Sequence, residues 1–296
     1  GNRQKAGTYA MWMTVIDADG HHHTPLREAL PNEWGTAATS DAQGNIYIVG
    51  YTFDPNTVGK YDAKLWAYDP QGNARWQRAW DNPKAEFPGD WAERAYGLAA
   101  HPDGSVIIAG ESQIKLEVVI NGLLKKKTFE RAFAQHFSPA GAPGSTWVDD
   151  LWPSHSGARS ITADPKGGFV LTGWTSDQAD AGKVPVAFHL HDDLSITWKQ
   201  LEKFYFAGNA IAEAGGPSLE DHVTLGSTIT DDGKSHVRIS ALLGGDEDPL
   251  WAKTFTGPNG VARLNDLTID ARGYIYFAGF SDVANGGQML VGRLHP

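Results

Sequence analysis

The sequence predicts an all-β chain built from one repeated unit, and three observations carry the prediction. Versions of one short hairpin return along the chain: ATSDAQGNIYIVGY at 38–51, AAHPDGSVIIAG at 99–110, TADPKGGFVLTG at 162–173 and TIDARGYIYFAG at 268–279, with a degraded copy from Ile211 to Gly226. Each reads as a short strand, a turn of Asp, Pro and Gly type, and a second strand of apolar or β-branched residues that stops at a glycine such as Gly50. Between the copies lies another hairpin whose last strand carries tryptophan, best seen in KLWAYDPQGNARW at 64–76, with Trp147, Trp198 and Trp251 at corresponding places in one register. Finally, the first hairpins recur roughly every 50–60 residues, the length of the longer propeller repeats. Two hairpins per unit make four antiparallel strands, which is one blade of a β-propeller. Five first hairpins imply five blades, and a sixth, incomplete blade is the alternative count.

Residues 8–30 read as the second hairpin of a blade whose first hairpin is missing at this end, with Leu26 where other units carry tryptophan. The last residues, 288–296, stop where the matching turn would begin. A ring has no free sheet edge only if its ends meet, so the N-terminal hairpin is expected to complete the blade begun at Val261 and close the ring. Both ends offer a third strand, so one is surplus.

Unit one runs over about 35–80 and is followed by a connection at 81–94 rich in Pro, Gly and charge, a length usually functional or an insertion. In unit two, Asn121-Gly122 between apolar runs is a strong hairpin signal, so the second and third strands extend as a β-arm at about 113–131, with Lys125, Lys126 and Lys127 near its tip. No linker or low-complexity tract separates the units. Residues 1–296 read as a single propeller domain.

Composition narrows the function. A hydrophobic share of 41% with 20% charged residues is globular, and the net charge of −10 argues against a general nucleic-acid binder or a protein spread on anionic membranes. There is no cysteine, hence no disulfide framework and no thiolate chemistry. No run reaches the length of a transmembrane helix. The first seven residues lack the apolar core of a signal peptide, and an export signal is expected to have preceded Gly1.

The blocks at 68–76 and 38–50 resemble the bacterial seven-bladed β-propeller repeat, abbreviated SBBP. That resemblance covers most of the chain and implies the fold and an exported or cell-surface location. Its motifs are turn and core residues, so it implies no activity. Five units stand here instead of seven, and the fourth is eroded.

Few residues signal chemistry. His21, His22 and His23 contain ring nitrogens suited to a metal, yet alternation along a strand lets only His21 and His23 share a face, and an exposed edge is the favoured reading. Asp17 and Asp19 open a turn that lacks the remaining carboxylates of a calcium loop. Gly233-Lys234-Ser235 lacks the glycine five residues earlier, where Thr228 stands, and sits in a hairpin. Neither a nucleophile elbow nor a zinc-protease helix motif occurs. No metal and no cofactor are expected.

One propeller face gathers the remaining candidates, because unit-to-unit connections and second-to-third-strand loops share it. Glu33 and Trp34 open the set, followed by Asp90, Trp91, Glu93 and Arg94. Trp152, His155 and Arg159 come next, and Arg263 and Asn265 complete it, with Tyr205 and Asn259 beside them. Aromatic faces beside carboxylates and guanidinium groups suit a carbohydrate or a polar peptide, while bracing of blade junctions explains the same aromatics as well. The opposite face, with Asp41, Asp103, Asp164 and Asp270, is an acidic solvated rim.

Three functions follow from this face and the arm. The favoured one is a non-catalytic extracytoplasmic binding propeller whose partner is a carbohydrate, a peptide or a protein. Next comes a structural module in which the 113–131 arm contacts an acidic partner or a second copy, the arm being otherwise a soluble extension whose lysines discourage edge pairing. The last is a hydrolase or lyase with His155, Glu93 or Asp90 as acid or base. The fold alone does not choose among them.

Overall fold

The computed structural model describes residues 2–5, 8–14, 19, 21, 27–53, 61–83, 92–150, 155–164, 167–176, 182–201, 209–217, 222–231, 234–243, 249–257, 260–270, 272–283 and 286–295. The chain divides into two compact units, Gly1–Val148 and Asp149–Pro296. Among the described residues there is no helix, and named strands pair antiparallel throughout. No helix is long and apolar enough to cross a membrane.

The first unit begins with a three-stranded sheet of β1 (Asn2–Lys5), β2 (Thr8–Met13) and β3 (Arg27–Pro31). Blade one follows as β4 (Glu33–Ser40), β5 (Ile46–Phe53), β6 (Tyr61–Tyr68) and β7 (Ala74–Trp80). Blade two is β8 (Glu93–Ala100), β9 (Val106–Ile120), β10 (Leu123–Phe137) and β11 (Pro143–Val148). In the second unit, blade three comprises β12 (His155–Ala163), β13 (Phe169–Ser176), β14 (Val184–Leu190) and β15 (Ile196–Leu201). Blade four is β16 (Asn209–Pro217), β17 (His222–Asp231), β18 (Lys234–Leu243) and β19 (Trp251–Thr256), and blade five is β20 (Ala262–Ile269), β21 (Ile275–Val283) and β22 (Gly286–Leu294). The fold class is the five-bladed antiparallel β-propeller that the repeats predict, with four strands in each of blades one to four and three in blade five among the described residues. β1–β3 form a sheet of their own, and no pairing of the N-terminal hairpin with the sheet begun at Val261 occurs among the described residues.

The repeat has a backbone cause. In each blade the first strand carries one extra residue opposite the second: Thr36, Tyr96, Arg159, Glu213 and Asn265 each sit in a one-residue shift of register. Beside every bulge the second strand has glycine. A Cβ on Gly50 would lie 1.7 Å from the Trp34 carbonyl oxygen, and one on Gly110, Gly173 or Gly279 would lie 1.9–2.0 Å from the matching carbonyl. This corrects the expectation that the second strand ends at the glycine. β5 continues past Gly50 to Phe53, because the glycine makes room for a bulge, and a bulge redirects a strand without ending it. The bulge also ties blades together: Thr36 Oγ1 donates to Val49 O at 3.0 Å and across to Ala95 O at 2.7 Å.

The turns at the other end follow one design. Asp41 Oδ1 accepts the backbone N–H groups of Gln43 and Asn45, Asp69 those of Gln71 and Asn73, and Asp270 those of Arg272 and Tyr274. Each turn closes on a glycine at positive φ, such as Gly44 at 80° and Gly273 at 83°. Desolvation pulls the Asp41 carboxyl upward, but the hydrogen bonds from Asn45, Tyr47 and Gln43 outweigh it and hold it below its ordinary value.

Cores lie between neighbouring blades. Tyr47, Leu65, Trp80, Leu98, Ile108 and Phe133 form the one between blades one and two, with Trp80 stacked on Phe133 at 3.8 Å. Met11 brings the N-terminal sheet against Ile48 and Trp66. In the second unit, Val237 and Ile239 of blade four meet Leu264 and Phe277 of blade five. The recurring tryptophans do not share one register. Trp76 and Trp198 pair with Ala67 and His189 at matching levels, whereas Trp147 pairs with Ala134 and Trp251 with Ala241, closer to the bulge glycine. Trp76 reaches the next blade's turn, where its Nε1 donates to Pro139 O at 3.1 Å.

A glycine required by a bulge behaves unlike one required only by a turn. Gly110→Ala must move the Arg94 carbonyl from 2.0 Å and is expected to cost about 3 kcal/mol in urea unfolding, within the overpacking range. Gly122→Ala, with φ 76° and open space around it, should cost about 1–2 kcal/mol from backbone strain alone. Equal costs would remove the bulge from the account.

Candidate binding and acid-base site

The ends of blades one and two opposite the Asp-Gly turns bring chemistry together. β5 ends and β6 begins there, and the first strands of both blades start there. Tyr51 follows Gly50 in β5 and is the hub of an aromatic group. Trp34 stacks on it with ring centroids 5.5 Å apart and planes 20° from parallel. Tyr61 and Tyr96 meet it edge-on at 5.5 and 6.5 Å. The Arg94 guanidinium lies 4.1 Å from the Tyr61 ring centroid and 5.9 Å from that of Tyr51. All five residues are half-buried, so each keeps part of its surface open to solvent.

Strand pairing produces this group. Trp34 and Tyr51 are direct cross-strand partners, and Tyr61 enters through a parallel bridge to Ala92, just ahead of β8. Tyr96 is the extra residue of the blade-two bulge and, like Arg94, lies on the less buried side of the alternation that buries Glu93 and Ala95.

A carboxyl cluster adjoins the aromatic group through the neighbours of Tyr61 and Arg94 in sequence. Asp62 follows Tyr61, Asp81 follows Trp80 at the end of β7, and Glu93 is the first residue of β8; one oxygen from each lies within 4.8 Å of the others. Glu93 is only 1% exposed. Burial first, then the charges of Asp81 and Asp62, push its carboxyl up to about 8, against opposing hydrogen bonds from Ser112 Oγ at 3.4 Å and from its own backbone N–H. Asn82 Nδ2 donates to the same Ser112 hydroxyl at 2.9 Å and completes the buried polar set. With its carboxyl raised this far, Glu93 keeps its proton at neutral pH beside the two aspartates. The same oxygens are spaced so that a hard divalent cation could bridge them in place of the proton.

The predicted site residues divide by unit. Trp34, Glu93 and Arg94 stand at the described blade ends, whereas Glu33 is buried and its Oε1 pairs with Lys64 Nζ at 2.9 Å. Asp90, Trp91 and Trp152 lie outside the described residues, as do Tyr205, Asn259, His22 and His23. In the second unit, His155 is buried at the start of β12, where its carbonyl accepts Thr175 Oγ1 at 3.1 Å. Arg159 is the bulge residue of that strand. Arg263 lies over the Phe280 ring at 5.9 Å, and Asn265 is the exposed bulge residue of β20. His21 is exposed, and Asp19 sits in a turn.

Sequence reasoning missed Tyr51, Tyr61, Asp62, Asp81, Tyr96 and Ser112. A signal for Tyr51 existed: the residue after the bulge glycine is aromatic in three blades, and each ring has a cation over it. The pairs are Tyr51 with Arg94, Trp174 with Lys183 at 3.5 Å, and Phe280 with Arg263.

No protein-family model matches the chain, and no curated protein matches it. Solved structures do. A polysaccharide lyase of family PL25, an ulvan lyase, superposes with a TM-score of 0.59 at 13% identity, over 90% of this chain and 67% of that one. A glucose dehydrogenase matches at 0.47 and 10% identity over 98% and 90%. An endo-arabinase from Bacteroides thetaiotaomicron matches at 0.40 and 14% over 90% and 94%. At these identities the likeness is one of fold.

The Glu93 proton has a measurable consequence for stability. The folded chain holds it up to about pH 8, whereas an unfolded chain releases it near the ordinary value of 4.5. The contribution is therefore fully present below that ordinary value and is lost as pH rises through the folded one. Urea unfolding should show wild type losing up to about 1.4 kcal/mol per pH unit across that window relative to Glu93→Gln. Parallel pH profiles for the two proteins would show that Glu93 is ionised in the fold.

Proposed function

We propose that this chain is an extracytoplasmic carbohydrate-binding propeller that takes its ligand on the aromatic face of blades one and two. The carrying observation is the half-open group of Trp34, Tyr51, Tyr61 and Tyr96 with Arg94 laid across two of the rings. Sugar rings present C–H faces that stack on aromatics, and their hydroxyls find partners in charged groups at the rim. A site made only to brace the junction would have its rings fully covered, as Trp80 and Trp66 are. The superposed ulvan lyase shows that the fold carries polysaccharide chemistry in another protein, which is support by analogy of fold. Polymeric glycans lie mostly outside the cytoplasm, and the SBBP resemblance implies the same location.

Glu93 favours a second reading, in which the site also cleaves its glycan with this residue as proton donor. A single buried acid holding its proton at neutral pH suits protonation of a leaving oxygen. Its burial at 1% exposure shields it from a ligand on the surface, so binding is the better supported function.

Calorimetric titration with neutral and uronic-acid oligosaccharides tests both readings. Binding should saturate and weaken at least about tenfold in Trp34→Ala and in Arg94→Ala, with unfolding midpoints little changed. Reducing ends or unsaturated products that form with wild type and vanish in Glu93→Gln would establish cleavage. Wild-type affinity in both face variants would reject the face as the binding site.

A further inference from the structure

Blade two differs from the other blades in its arm. β9 and β10 are 15 residues each, and their pairing continues from Gln113↔Glu130 out to Ile120↔Leu123, past the last pairing of β9 with β8 at Ser112 and of β10 with β11 at Phe133. Asn121 and Gly122, at φ 52° and 76°, close the tip. Charge and hydropathy are ordered along this arm. Val119, Leu123 and Leu124 occupy the outermost pairs at 70, 64 and 64% exposure. Lys125, Lys126 and Lys127 occupy the next three positions inward, all exposed, with Glu117 the only described acidic residue facing them, across from Lys126.

We infer that the arm is a membrane-docking element whose apolar tip enters an anionic lipid surface while its lysines stay at the headgroups. The dimensions fit. Two residue pairs of antiparallel strand span roughly 7 Å, within the about 5–10 Å that interfacial segments bury. The three lysines then fall at headgroup depth, where flexible stems lie along apolar surface and ammonium groups reach phosphate. The arm also reverses the charge of its carrier. A chain of net charge −10 is repelled by anionic lipid as a whole, so a local lysine cluster at the end of an extension is how such a chain approaches one.

Other occupants fit less well. A second copy added along β10 in a two-fold arrangement would set lysines against lysines. A soluble polyanion would use the lysines but not the aliphatic residues beyond them, and those residues have no ring on which a sugar could stack. An acidic protein with an apolar groove is left as an outcome of the test.

The experiment is co-sedimentation of the full chain with vesicles of phosphatidylcholine alone or mixed with phosphatidylglycerol, at low and high salt. Wild type should sediment with the mixed vesicles at low salt and be released by high salt or by phosphatidylcholine alone. Replacing all three lysines by glutamine should lower the partition coefficient on the order of 100-fold, at roughly fivefold per lysine. Leu123→Ser with Leu124→Ser should lower it by at least about tenfold. All replaced side chains are exposed, and unchanged unfolding midpoints confirm that the variants fold. In Leu124→Trp, indole emission should shift to the blue and be quenched by acyl-chain labels. No sedimentation with mixed vesicles would overturn the inference. So would retention of binding by the serine variant, which would leave a surface polyanion contact only. Self-association or capture of an acidic protein through the arm, without vesicle binding, would equally overturn it.

Discussion

A carbonyl oxygen seated against a glycine Cα is the contact on which the blades depend. At the blade ends away from the Asp-Gly turns, the first strand bulges and presses its backbone into the second, and only a residue without Cβ leaves room. The extra residue adds local twist, and twist lets neighbouring sheets pack face to face. Thr36 makes the dependence explicit. It is the extra residue of its bulge, and its hydroxyl crosses to the blade-two carbonyl of Ala95. The bulge therefore sets both the shape of a blade and the register of its junction with the next.

The candidate site inherits its geometry from the same device. Tyr96 is the residue the bulge leaves over and shares the less buried side of β8 with Arg94, and Tyr51, which follows the bulge glycine, meets its ring. Glu93 and Arg94 precede that bulge by two or three residues, where alternation sends one inward and the other outward. The inward residue becomes a protonated acid above its ordinary value, and the outward one becomes a cation over aromatic rings. Two adjacent residues of one strand thus acquire opposite chemistry from opposite environments.

Much of this was legible in the sequence, and the limits have physical causes. The turns were legible because Asp and Gly at set positions do local work that needs no distant partner. The face of Glu33, Trp34, Glu93 and Arg94 was legible because strand order decides which ends share a side. The bulges were not, since one added residue in a first strand has no compositional mark. Its partner glycine was visible but read as a strand end, an error only cross-strand distance could correct. Tyr61, Asp62 and Asp81 were missed because their role comes from Ala92 and Glu93, residues distant in sequence and adjacent in space. The tryptophans misled in the opposite way: similar spacing suggested one register, while pairing sets them at three levels.

Charge explains why the two surfaces of this chain can be read separately. The turn aspartates are held below their ordinary values by hydrogen bonds from turn side chains and backbone N–H groups, as Asp41, Asp69 and Asp270 are, so they contribute a fixed negative field while meeting a structural need. A field set by turn geometry cannot be traded for function without loss of turns. Positive charge also stands away from those turns, on Arg94 in the aromatic group and on the three lysines of an arm extending past the sheet. At a Debye length of about 8 Å, exposed charges farther apart than that act nearly independently. Extension of the arm past the strands that flank it is thus an electrostatic device as well as a steric one. It gives an acidic repeat protein a locally basic contact without altering the turns that hold its blades together.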